Sequence, residues 1–155
     1  MNSHAPANYN CPFCLIVRGV ENEYVYTVAS DIVFRTEHVT CFVASRQWPK
    51  NPGNTLIIPN QHYENIYSTP AAIIGLVHSS AARIAIAMKF AFNCEGVSTR
   101  QHNEPAGDQD VWHFHVHVTP RFTGDALYEG YAATGSTMPV PARAKLAQLL
   151  RAHLK

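Results

Sequence analysis

Trp112-His113-Phe114-His115-Val116-His117-Val118 alternates apolar and imidazole side chains position by position. Successive side chains of an extended chain point to opposite faces. The run is therefore expected to be a strand, over about 111–119. One face would carry Trp112, Phe114, Val116 and Val118, and the other His113, His115 and His117. Residues two apart on one face sit roughly 6–7 Å from each other. That is close enough to share one ligand and far enough to divide roles. The plain alternative is a half-buried strand with surface histidines. With 9 His in 155 residues, chance supplies only about 0.03 windows of this pattern, so the motif's false-positive risk is small.

Working outward, β-type runs are expected at 24–27, 31–35, 39–44 and 55–58, with turn residues Lys50-Asn51-Pro52-Gly53-Asn54 before the last. Thr69 and Pro70 mark a helix start. Ile73, Val77, Ile84 and Met88 continue it at helical spacing, and 93–96 stops it. A further strand is expected at 97–102, and a last helix at 142–154 with Leu146, Leu149, Leu150 and Leu154 on one side. The first four strands have no helix between them, which favours antiparallel pairing. The expected class is α+β: an antiparallel sheet of about five strands, one long helix and a C-terminal helix. Residues 1–10 read as a mobile tail and 11–155 as a single domain.

Lys plus Arg number 12 against 11 Asp plus Glu, a net charge of +1. Such a balance gives no general attraction for duplex nucleic acid or an anionic membrane. The first ten residues lack the basic head and apolar stretch of a secretory signal, and no run of 18 apolar residues occurs. The expected compartment is the cytoplasm, where the four cysteines would stay reduced.

Two chemistries fit the histidine run. Three histidines can hold a catalytic zinc with an open fourth position, or one can be a nucleophile and the others position it. The preceding loop, Glu104-Pro105-Ala106-Gly107-Asp108-Gln109-Asp110, can offer backbone N–H groups and the Gln109 amide to an anionic oxygen. Cys11-Pro12-Phe13-Cys14 places two thiols in a compact turn. The βαβ context of a redox pair is missing, so metal binding is the alternative. His62, just after the strand ending at Pro59, is a candidate further ligand.

Four stretches together resemble the histidine triad family, in its zinc-binding bacterial branch: HFHVHVTPR, CPFC, NTLIIPNQHYENIY and AGDQDVWH. The likeness runs in consistent order from about Cys11 to Asp125. It implies a closed structural zinc site of Cys11, Cys14, His62 and His113. His115 would be the nucleophile that attacks a nucleotide α-phosphorus, forming a nucleotidyl-histidine that water cleaves. His117 would orient the phosphoryl oxygens, Gln109 and the Gly107 loop would contact phosphate, and Asn103 would shape the pocket. A homodimer is implied as well. Substrates would be dinucleoside polyphosphates, phosphoramidates or adenylylated small molecules. Asp108 stands as an insertion in the lead-in, Asp110 replaces the Ser or Thr that touches the leaving group, 45–51 reads as a lengthened loop, and no acidic ribose ligand is evident. The rivals are a zinc hydrolase built on His113, His115 and His117, and a nucleotide-binding interaction module without turnover.

Overall fold

A computed structural model describes residues 3–127 and 135–154. Among these residues seven strands are formed: β1 Ile32–Arg35, β2 Val39–Val43, β3 Arg46–Gln47, β4 Thr55–Pro59, β5 Gly96–Gln101, β6 Val116–Arg121 and β7 Ser136–Thr137. Three α-helices accompany them among the described residues: α1 Pro12–Arg18, α2 Ala71–Ala91 and α3 Val140–Ala152. Five strands make one sheet in the order β1-β2-β4-β6-β5, antiparallel throughout, while β3 and β7 pair separately. This is the expected α+β architecture.

Both faces of the sheet are covered, and strand alternation divides the side chains between them. Val39, Cys41 and Val43 of β2, Ile57 of β4, and Val116 and Val118 of β6 join Val77, Ala81, Ile84 and Met88 of α2 and Ala147 and Leu150 of α3 in the main core. Phe42, Leu56 and Ile58 point the other way, onto Phe13, Leu15 and Ile16 of α1. Each of the Val, Leu, Ile, Phe and Met side chains among them contributes roughly 1.5–3 kcal/mol on burial. By length and mean hydropathy α2 could cross a membrane, yet one of its faces is core of this domain. Leu76, Ile86 and Phe90 remain on its outer side.

The histidine strand is shorter than expected. Regular pairing begins at Val116, so His113 and His115 precede the strand. Their backbone groups are held outside the ladder: His113 N donates to Val111 O, Phe114 N to Tyr63 O, and the His113 carbonyl receives the His115 ring. The apolar alternation survives, because Phe114 enters the core with Val116 and Val118.

Residues 24–27 form no strand. Val25 and Thr27 are buried and Tyr24 and Tyr26 exposed, the alternation that suggested one, but the Tyr26 carbonyl is taken by the Arg143 guanidinium. The cysteine turn opens a helix: Cys11 caps α1, its Sγ accepting from Cys14 N, and Gly19 ends it at φ 71. Pro12 at the first position and Gly19 after the last were legible signals of that helix. The segment 45–51 contains β3. In the expected tail, Tyr9 Oη accepts from Trp112 N, His4 N donates to the Glu64 carboxylate, and the His4 ring lies 5.8 Å from that of Trp112.

Candidate active site and metal centre

Residues paired across an antiparallel sheet share a face. Phe42 lies opposite Leu56, and Leu56 opposite His117, so the three form a row across β2, β4 and β6 on the α1 side. Arg100 of β5 extends the row beyond His117. Over it opens a cleft of about 450 Å³. Its apolar wall is Phe13, Phe42, Leu56 and Trp48. Thr27, Ser45 and Arg46 stand along it with Asn54, and His102, His115, His117, Asp108 and Asp110 complete the lining.

His113 and His115 are interlocked through the backbone. His115 Nδ1 lies 2.6 Å from the His113 carbonyl oxygen. A carbonyl only accepts, so Nδ1 carries the hydrogen and Nε2 keeps its lone pair. The ring is 5.1 Å from that of His117 and packs edge-on against Phe13 at 5.2 Å. Burial, with the neighbouring His102, lowers the His115 pKa, while Asp110 pulls the other way. His117 is held well below the usual imidazole value by burial first, then by His115, His102 and Arg100. Both rings are thus neutral at pH 7. His117 Nδ1 is 3.4 Å from Asn54 Oδ1, which also accepts from Thr119 Oγ1 at 3.1 Å.

A second cluster lies on the far side of His113. The donor atoms of Cys11, Cys14, His62 and His113 all fall within 4.8 Å of one another. His113 Nδ1 is 3.3 Å from Cys11 Sγ and 3.6 Å from Cys14 Sγ, and His62 Nδ1 is 3.4 Å from Cys14 Sγ. Zinc bond lengths at a tetrahedral angle require sulfur–nitrogen edges of about 3.6 Å, so the set fits that ion. His113 Nε2 lies 3.0 Å from the Pro59 carbonyl. It is therefore the donor nitrogen, and Nδ1 faces the thiols bare, as a metal ligand must. Burial pushes the Cys11 thiol up to about 12 and His113 down to about 4, so the imidazole stays neutral, as a metal ligand must be, and the thiol would ionise only against a bound cation. Both cysteines are free thiols. Among the described residues no cluster gathers the nitrogens of His113, His115 and His117 around one point. The three-histidine zinc site is not formed.

The three phosphate candidates from the loop stand apart from the cleft lining. Gln109 is buried, its amide donating to Glu64 O at 2.6 Å and Val111 O at 3.0 Å and accepting from Glu104 N at 2.9 Å. It braces a loop in which Glu104 and Asp108 both take positive φ, 61° and 63°, a conformation that non-glycine residues keep only when held. Gly107 N donates to Glu104 O and its carbonyl meets His102 Nδ1. Asn103 pairs with Gln101 and accepts from Ile66 N.

The apolar wall, Asn54 and His102 were not expected from the sequence. No periodic signal joins α1, β2, β4 and the end of β5, since only the sheet order brings them together.

Residues 26–124 match the HIT domain model. The chain belongs to the HIT family. Protein hit of Bacillus subtilis is 33% identical over 113 residues, covering 73% of this chain and 72% of that one. Adenylylsulfatase HINT3 of Arabidopsis thaliana is 26% identical over 146 residues, 94% of this chain and 70% of the plant protein. Among solved structures, a zinc-bound histidine triad family protein from Mycobacterium smegmatis superposes with a TM-score of 0.74 at 28% identity, over 93% of this chain and 92% of that one. The HIT assignment accounts for both the interlocked histidines and the Cys/His cluster behind them.

Proposed function

We propose that this HIT protein hydrolyses or transfers nucleotidyl groups, with His115 as nucleophile at the α-phosphorus. The observation that carries the reading is the bond from His115 Nδ1 to its neighbour's carbonyl, which leaves Nε2 as a neutral lone pair beside the cleft. The wall of Phe13, Phe42, Leu56 and Trp48 suits a base, and Thr27 and Ser45 offer hydroxyls to a ribose. His115 Nε2 would form a bond to phosphorus as the leaving-group oxygen or nitrogen departs, and water would then cleave the nucleotidyl-histidine. His117, set against Asn54, positions the phosphoryl oxygens. Such chemistry depends mainly on placement. A relative named as an adenylylsulfatase supports the nucleotide class.

Cys11, Cys14, His62 and His113 would hold a structural zinc, whose charge would stabilise two thiolates and clamp the start of the histidine segment. Reduced thiols of that kind suit the cytoplasm. We also assign a second copy of this chain to the outer edge of β5. That edge has no strand partner among the described residues, and Leu76, Ile86 and Phe90 are exposed on α2, which packs on β5 and β6. A self-pairing edge is the usual route to a two-fold dimer.

The test is trapping. An adenosine 5′-phosphate ester with a good leaving group, quenched in alkali, should give one nucleoside monophosphate on His115. His115→Ala should keep its fold and lose the adduct, with turnover down by several orders of magnitude; removing a protease nucleophile costs on the order of 10⁶. Undiminished turnover in that variant refutes the assignment.

A further inference from the structure

His102 follows directly on β5 and lines the cleft with His115 and His117. Its ring centroid is 6.0 Å from that of His117, nearly perpendicular at 85°. Nδ1 lies 2.7 Å from the Gly107 carbonyl oxygen, so Nδ1 carries a hydrogen and the ring is fixed on the loop. Nε2 is buried and has no hydrogen-bond partner among the described residues. Buried polar nitrogens without partners are rare, and each calls for an explanation. A nitrogen held in one orientation, beside two histidines on a cleft wall, is poised to take up and release a proton.

The groups that face it come from three elements. His115 and His117 lie on the histidine segment, Arg100 on β5 is opposite His117, and Asp108 and Asp110 project from the loop between. Asp108 and Asp110 set two carboxylates on the cleft wall beside it. The same carboxylates repel an anionic leaving group such as a polyphosphate. They tolerate one that departs neutral.

We propose that His102 is the proton carrier of the reaction, handing a proton to a leaving atom that cannot depart as an anion. This rests on the His115 reading above. In the first step His115 Nε2 bonds to phosphorus, the bond from phosphorus to the leaving atom breaks, and the proton on His102 Nε2 passes to that atom. In the second step water attacks phosphorus, its proton goes to the now neutral His102 Nε2, and the N–P bond breaks. The protonated ring is regenerated, and no other reactant is consumed.

Adenosine 5′-phenyl phosphate and adenosine 5′-p-nitrophenyl phosphate separate the outcomes, because only the phenolate of the first needs a proton to leave. Wild type should cleave the two at similar rates. General acid–base catalysis is worth about 10²–10⁴-fold, so His102→Asn should lose at least about 100-fold more on the phenyl than on the p-nitrophenyl ester. It should also lose the alkaline limb of the phenyl-ester pH profile and accumulate the nucleotidyl-histidine. His102→Gln, with its amide set differently toward Gly107 O, should behave the same way if the proton is what matters. Equal losses on both esters, or a steep leaving-group dependence already in wild type, would overturn the proposal while leaving the His115 adduct intact. A wild type that forms no adduct would fail the His115 reading itself, and this proposal with it.

Discussion

Truncating Arg143 to alanine would remove a buried cation that ties the C-terminal helix to Tyr26 and Asp31, on either side of cleft-lining Thr27. Its Nε and Nη2 donate to Asp31 Oδ2 at 3.0 and 2.8 Å, Nη2 also to Tyr26 O at 2.6 Å, and Nη1 to Met138 O at 2.6 Å. Side-chain exposure is 2% for Arg143 and 0% for Asp31. Among the described residues Asp31 Oδ1 already lacks a partner, so the variant would leave a buried carboxylate with little beyond the Val28 N–H on its other oxygen. Breaking a buried pair from one side costs about 3–5 kcal/mol. For a chain of this length that lowers the melting temperature by roughly 6–20 °C, at 2–4 °C per kcal/mol. Urea unfolding should show the same loss in midpoint without a change of slope. The double variant Arg143→Met/Asp31→Asn should recover much of it, because no uncompensated charge remains and Asn keeps an acceptor for Val28 N. A loss below about 1 kcal/mol for Arg143→Ala would refute the reasoning. So would a double variant as unstable as the single.

Cys14→Ser should reduce bound zinc from one per chain and lower the melting temperature, since structural zinc can supply on the order of 10 kcal/mol of apparent binding energy; elemental analysis and thermal unfolding with and without chelator check it. Phe90→Glu, on the outer side of α2, should shift a dimer to monomer in sedimentation experiments at unchanged thermal stability of the monomer fold. Asp125, held far below the usual carboxyl range first by the Arg121 side chain and then by backbone N–H groups and Asn51, should contribute stability that is complete above its unfolded value of about 3.9. That contribution is lost as pH falls below this value. Melting temperatures from pH 7 to pH 3 should therefore drop more steeply for wild type than for Asp125→Asn.

The histidine segment shows what a period-two pattern can and cannot reveal. Phe114, Val116 and Val118 enter the core as the alternation implied, because side-chain direction follows from extended dihedrals alone. Ladder pairing does not, and here it stops at Val116 because a side chain occupies the carbonyl of His113. The same limit explains residues 24–27, where alternating burial occurs beside an arginine instead of a strand. The Cys/His cluster was legible because the two thiols and His62 carry their chemistry in their identity and the family resemblance added His113. The apolar wall was not: Phe42 and Leu56 look like any strand residues until β2 and β4 are known to be neighbours. Gln109 misled for the converse reason. An amide beside a glycine has the chemistry to meet a phosphate, and only the positions of Glu64 O, Glu104 N and Val111 O show that it is already spoken for.

The hydrogen bond that sets the His115 tautomer ends on a main-chain carbonyl. Every residue type carries that acceptor, so the orientation of the His115 ring is insensitive to what side chain occupies position 113. The side chains of the Cys/His cluster can be substituted without moving the hydrogen on the His115 ring. The cluster and the ring orientation can therefore change independently, although both involve His113.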